Sequence, residues 1–237
     1  MTERIQKIIS AHGIASRRAA EKLLLAGRIT VNGEVASLGQ SADPEKDTIL
    51  IDGKPLPKKE KPVCIMLHKP RGYITTLSDE LGRKTAVSLV DCGCRVYPVG
   101  RLDYGSEGLL LLTNDGDLAN RLMHPKHSVE KVYEVTVSGA LDTAQELLSR
   151  PIELDGRKIQ PPQVVLLRQN DRKATYEITI HEGRNRQIRR MCEAAELNVL
   201  RLCRVREGCL SLGDLPVGKW RFLTKEEYEK IYREVAK

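Results

Sequence analysis

Ile5, Ile8 and Ile9 fall on one side of a short helix at the spacing of its turns. Ser16 stands where an N-cap would open a second helix, whose apolar side is Ala19, Ala20, Leu23 and Leu24, and Gly27 fits the residue that ends it. The period then changes. Arg28-Ile29-Thr30-Val31 reads as a strand followed by an Asn32-Gly33 turn, and Ile49-Leu50-Ile51 with Asp52-Gly53 repeats the pattern. Lys54 to Pro62 holds three prolines and four lysines, a composition that resists helix and central strand alike and predicts an exposed linker.

From Val63 onwards strands dominate. Val63 to Leu67 is an apolar strand candidate, and Gly108-Leu109-Leu110-Leu111-Leu112 is apolar throughout, as a strand covered on both faces would be. Lys131 to Val137 alternates, with Tyr133, Val135 and Val137 on one face; Ala174, Tyr176, Ile178 and Ile180 alternate likewise. Arg186 to Leu197 reads as a helix carrying Ile188, Met191, Cys192 and Ala195, and Thr224-x-x-Glu227 is a capping box opening a last helix. The elements do not alternate regularly, so the expected class is α+β: a small N-terminal α/β module over residues 1–57, a linker over 58–62, and a larger domain over 63–237 with a mixed, mainly antiparallel sheet flanked by helices.

Composition narrows the partners. Lys plus Arg number 39 against 32 Asp plus Glu, a net charge of +7, which favours polyanions because basic side chains displace the counterions condensed on a phosphate backbone. Aromatic residues are only 4%, too few for a platform that reads single strands by stacking. Met1 to Lys7 has no apolar signal core, and no apolar run approaches the roughly 20 residues of a membrane span, so a cytoplasmic protein is expected. The cysteines at 64, 92, 94, 192, 203 and 209 are then expected as reduced thiols, and Cys92-Gly93-Cys94 has no second pair to complete a zinc site.

The charge is organised. Arg17, Arg18 and Lys22 cluster at the start and middle of the second helix, and Arg28 follows its end, a layout that can grip phosphates. The run from Ile5-Gln6-Lys7 through Gly13-Ile14-Ala15-Ser16-Arg17-Arg18 to Gly27-Arg28-Ile29-Thr30-Val31-Asn32-Gly33 resembles the S4 RNA-binding domain. That resemblance implies structured RNA as partner and no particular chemistry.

Chemistry is concentrated in three stretches of the larger domain. Gly100-Arg101-Leu102-Asp103 precedes the leucine run, and a glycine-framed loop before a buried strand is a rigid place to present a carboxylate; alone, the same pattern reads better as a turn in which Asp103 caps a backbone N–H. Lys131-Val132-Tyr133 places a tyrosine on an apolar strand face, where it could be core or could stack on a base. Gly183-Arg184-Asn185-Arg186-Gln187-Ile188-Arg189-Arg190 opens a segment, ending at Arg206, with seven arginines against two glutamates. On a helix Arg186, Arg189 and Arg190 would share a side, one to pair with a carboxylate and the others to meet phosphates.

Together with His68-Lys69-Pro70-Arg71-Gly72 and the run Leu118 to Pro125, these stretches resemble the RsuA/RluB family of ribosomal-RNA pseudouridine synthases along nearly the whole chain. The resemblance implies that Asp103 is the catalytic carboxylate, that Tyr133 is the active-site tyrosine, and that Arg189 pairs with and orients Asp103. It implies RNA contacts by Arg17, Arg18, Lys22, Arg28, Lys69, Arg71, Arg101, Arg184, Arg186 and Arg190, and neither cofactor nor metal. The implied partner is structured ribosomal RNA, free or in an assembling subunit, met by a monomer with no membrane. The Leu-rich strand and the Asn-Arg-Leu-Met-His-Pro stretch lean towards the large subunit. Two departures stand out: Gly105-Ser106 where the family often has Asp-Thr, and His68 where Asn is common. Rival readings are a non-catalytic RNA-binding or ribosome-assembly protein on the same fold, and a metal-dependent nuclease using Asp115 and Asp117, although Asn114-Asp115-Gly116-Asp117 reads better as a turn or a helix start.

Overall fold

The computed structural model describes residues 1–236. Lys237, the last residue of the expected larger domain, lies outside the described residues. Contacts divide the chain into two units, one of residues 1–62 with 92–95 and 114–116, the other of the remainder.

In the first unit α1 (Ile5–Ala11) and α2 (Arg17–Leu25) pack over a small sheet. Ser16 caps α2 by accepting from the Ala19 N–H at 3.1 Å, and Gly27 follows its end at φ +67°. The sheet is built from β1 (Ile29–Val31), β2 (Glu34–Val35), β3 (Ile49–Ile51) and β4 (Lys54–Pro55), all antiparallel. Asn32-Gly33 and Asp52-Gly53 both turn with positive φ, as tight hairpins require. Lys54–Pro55 is thus the sheet's edge strand, the position proline tolerates. The core is Ile5, Ile8, Ile9, Ala20, Leu24 and Ile29, all buried.

The second unit is a nine-stranded sheet among the described residues. Its strands in chain order are β5 (Cys64–Lys69), β6 (Tyr97–Val99), β7 (Glu107–Thr113), β8 (Lys131–Gly139), β9 (Gln163–Gln169), β10 (Ala174–Ile180), β11 (Leu197–Glu207), β12 (Leu210–Ser211) and β13 (Trp220–Phe222). Spatially they run β9-β10-β8-β11-β7-β5-β13, with β6 on β7 and β12 on β11. Every pairing is antiparallel except β7 with β11. Helices α3 (Gly116–Met123), α4 (Ala144–Ser149), α5 (Gln187–Ala194) and α6 (Lys225–Glu234) flank it, and no described helix is long and apolar enough to cross a membrane. The expected α+β architecture is the one found.

The leucine run is the centre of this sheet: Leu109 to Leu112 are fully buried, between β5 and β11. Where β7 meets β11, Gly108 has φ +111° and a side chain there would sit 2.3 Å from the Arg204 carbonyl oxygen. Only glycine lets the two backbones come that close. The expected helix over 186–197 is shorter: Arg186 is left-handed (φ +52°) ahead of α5, and Glu196 (φ +57°) turns the chain directly into β11.

Candidate active site

The Asp103 loop joins β6 to β7, and its backbone is unusually well anchored. Ser106 N–H closes a turn onto the Asp103 carbonyl at 3.0 Å. Five consecutive carbonyls then receive donors from elsewhere in the chain. Thr75 Oγ1 donates to Leu102 O at 2.7 Å, Lys69 Nζ to Asp103 O at 3.0 Å, and Gly72 N–H to Tyr104 O at 2.9 Å. Arg189 Nη2 donates to Gly105 O at 2.7 Å, and Lys69 Nζ also reaches Ser106 O at 2.8 Å. A buried peptide group without a partner is costly, so this set of donors specifies one loop conformation.

Lys69 is the centre of that clamp. It ends β5, is fully buried, and donates to Pro70 O at 3.1 Å as well. Burial pushes its ammonium down to about 8, with Asp103 and Glu107 pulling upwards against it and Arg204 adding to the fall. The expected contact between Lys69 and RNA is therefore corrected: all three N–H bonds of its ammonium point at carbonyls of its own domain, and none is left for a phosphate.

A cavity of about 490 Å³ opens over this loop, and Asp103, Tyr133 and Arg189 all line it. Asp103 is half-buried and tied to its surroundings through its carbonyl, while its charge is felt by Lys69 and Arg189. Arg189, on α5, makes no ion pair within 4 Å with Asp103 among the described residues; its hydrogen bonds go to Gly105 O and, at 3.4 Å, Ser106 Oγ. Its Nε is buried with no partner, and its acidity is raised first by burial and then by Arg186, with Asp103 opposing. Through Nη2, Arg189 thus braces the loop that carries the carboxylate, and its buried Nε–H has no partner.

Tyr133 is buried on β8, opposite Arg204 of β11 across a register shift. Burial pushes its phenol up, and the neighbouring Arg204 opposes this. Arg204 in turn donates through Nε to Leu109 O at 2.7 Å, and its Nη2 lies 3.3 Å from Glu207, close enough for an ion pair but without hydrogen-bond alignment. Arg204 and Glu207 line the cavity and were not singled out from the sequence; Lys131 lines it too and stood out in the sequence only as the start of the Tyr133 stretch. The one signal for Arg204 was the density of arginine beyond Gly183.

The remaining expected RNA contacts are dispersed in state. Arg17, Arg18, Lys22, Arg101 and Arg186 are exposed. Arg28 is held by both oxygens of Asp52, Arg71 lies 3.1 Å from Glu107, Arg184 2.9 Å from Glu182 and Arg190 3.1 Å from Asp155. Such solvent-facing pairs are worth only about 0–1 kcal/mol and can exchange for a phosphate. The shared helical side expected for Arg186, Arg189 and Arg190 is not formed, because Arg186 precedes the helix. Of the acidic pair in the nuclease reading, Asp117 is engaged by Arg121 at 2.9 Å and Tyr232 at 2.8 Å. No group of three or more metal-ligating side chains occurs among the described residues. Cys92 and Cys94 are free thiols with sulfurs 3.6 Å apart.

An S4-like module and a mixed sheet whose central loop presents a carboxylate to an arginine-lined cavity define an RNA-modifying enzyme. The family models agree: residues 63–194 match the RNA pseudouridylate synthase model and residues 3–49 the S4 domain. The chain belongs to the RNA pseudouridylate synthase family, whose members are isomerases acting on uridine in RNA, and the RsuA/RluB resemblance is borne out. It is 45% identical to an RNA pseudouridine synthase of Aquifex aeolicus, covering 100% of this chain and 96% of that one. It is 43% identical to ribosomal large subunit pseudouridine synthase B of Bacillus subtilis, over 97% and 95%. A crystal structure of a pseudouridylate synthase superposes with a TM-score of 0.68 at 30% identity, over 96% and 99% of the two chains.

Arg189→Ala removes both the brace on Gly105 O and a cavity cation. We expect the single-turnover rate to fall about 100-fold or more, the usual scale for losing one preorganised donor. Release of tritium from C5-labelled uridine in RNA measures this, and a variant within twofold of the wild type would refute the assignment.

Proposed function

We propose that this protein converts one uridine of large-subunit ribosomal RNA to pseudouridine, with Asp103 as the acting carboxylate. The observation that carries the reading is the meeting of Asp103, Tyr133 and Arg189, from three distant parts of the chain, around one cavity. The choice of ribosomal RNA rests on the likeness to ribosomal large subunit pseudouridine synthase B of Bacillus subtilis. Residues 1–57 are read as the RNA-gripping module, 58–62 as a linker, and the protein as a cytoplasmic monomer acting on free ribosomal RNA or an assembling subunit.

The reaction breaks N1–C1′, rotates the uracil and forms C5–C1′, with one proton leaving C5 and one arriving at N1. Asp103 serves either as nucleophile at C1′ or as base at C2′. The Arg189 guanidinium, which lines the cavity, stabilises the developing charge, and Tyr133 stacks on the uracil and assists removal of the C5 proton. The uridine must leave its stack to enter the cavity, which favours loops and distorted helices as targets. The exposed and exchangeable arginines around the rim take the flanking phosphates.

Chemical mapping of pseudouridine across ribosomal RNA, from cells with and without this protein, tests the proposal. We expect one large-subunit position to lose its signal. An unchanged map, or a loss confined to small-subunit RNA, would overturn it.

A further inference from the structure

We infer that Thr75 is a positioning residue for the isomerisation, acting through the peptide that precedes Asp103. The inference rests on Asp103 being the acting carboxylate. Thr75 Oγ1 donates to Leu102 O at 2.7 Å and accepts from Leu102 N–H at 3.2 Å, so one hydroxyl grips both polar groups of a single buried residue. That residue is the immediate neighbour of Asp103. The other donors to the loop, Lys69, Gly72 and Arg189, act on carbonyls from Asp103 onwards, leaving Thr75 as the grip on the near side.

The hydroxyl is itself fixed. Ile74 beside it is pinned on both sides, its N–H to Lys84 O at 2.9 Å and its carbonyl by Ala86 N–H at 2.8 Å. A β-branched side chain has few χ1 choices, so an anchored backbone aims the hydroxyl. Valine has the same shape and neither donor nor acceptor. In Thr75→Val the Leu102 N–H and carbonyl lose their partners together, and they regain others only by moving the loop. A displacement of about 1 Å at a reacting group can cost about 100-fold in rate.

The test uses the full chain and ribosomal RNA transcribed without modification and tritiated at uridine C5, with Asp103→Asn assayed alongside. In Thr75→Val we expect the single-turnover rate to fall about 10- to 100-fold while KM stays within about twofold. Thr75→Ser keeps the hydroxyl and recovers most of the rate. The inference is overturned if Thr75→Val turns over like the wild type, if its loss lies in KM, or if Thr75→Ser is as slow as Thr75→Val. The serine comparison decides the matter even if the valine variant folds poorly. Activity in Asp103→Asn would instead sink the catalytic assignment on which the inference stands.

Discussion

Asp103→Asn should leave a folded protein that binds RNA and has lost nearly all activity. Asparagine matches aspartate in shape, so the cavity keeps its outline. The loop keeps its conformation too, because Asp103 is held through its carbonyl by Lys69 and by the Ser106 N–H. What disappears is the only function an amide cannot supply, attack at C1′ or proton removal at C2′. Loss of a nucleophile or general base costs at least about 1,000-fold in rate. Affinity should hold or tighten slightly, since the substitution removes a negative charge from a site that receives a polyanion. Tritium release and filter binding measured on the same preparation separate the two effects. Full activity in this variant would falsify the assignment of Asp103.

Much of this arrangement is legible in the sequence where the determinants are local. The Ser16 and Thr224 caps, the Asn32-Gly33 and Asp52-Gly53 turns and the leucine run all follow from residues within a few positions of each other. The parts that were misread depend on partners far along the chain. Strand β11 carries Arg201, Arg204 and Arg206, which counted in the sequence only as part of an arginine-dense stretch, with no element expected between Leu197 and Thr224. In the fold these arginines meet Glu107, Glu207 and Glu130, so a charged segment becomes a central strand. Lys69 was expected at the RNA only because the family resemblance of its Lys-Pro-x-Gly loop implied it. Its real partners, the carbonyls of Asp103 and Ser106, lie 34 and 37 residues away, and no short-range pattern encodes them. Arg189 shows the same limit in milder form. Its sequence context led to the correct loop, but its hydrogen bonds are to the loop's backbone and to Ser106, and only its charge reaches the carboxylate.

Lys69 therefore gives the sharpest test of how the loop is built. Lys69→Met keeps the length and apolar stem of the side chain and removes the ammonium. Three carbonyls lose the ammonium at once; that of Asp103 keeps the Ser106 N–H, while those of Pro70 and Ser106 lose their donor. Each unsatisfied buried group costs about 1–3 kcal/mol, partly offset because an ammonium no longer has to be desolvated, so we expect a net loss of about 2–4 kcal/mol in unfolding free energy. The rate should fall at least about 100-fold, since the displaced peptide carries the carboxylate. Lys69→Arg should rescue neither, because a planar guanidinium cannot aim its N–H bonds at three carbonyls around one point. A pH series adds an independent signature. The folded-state value of about 8 lies below the ordinary lysine value of 10.5, so the unfolded chain holds this proton more tightly. Between those two pH values the contribution of Lys69 to stability rises with pH. Activity should move the opposite way, because a neutral amine has two N–H bonds for three carbonyls and the loop loosens as pH passes about 8. Stability improving while the rate declines over the same alkaline range, and both trends vanishing in Lys69→Met, is the expected result. A methionine variant with wild-type rate would show that the ammonium is not what holds Asp103 in place.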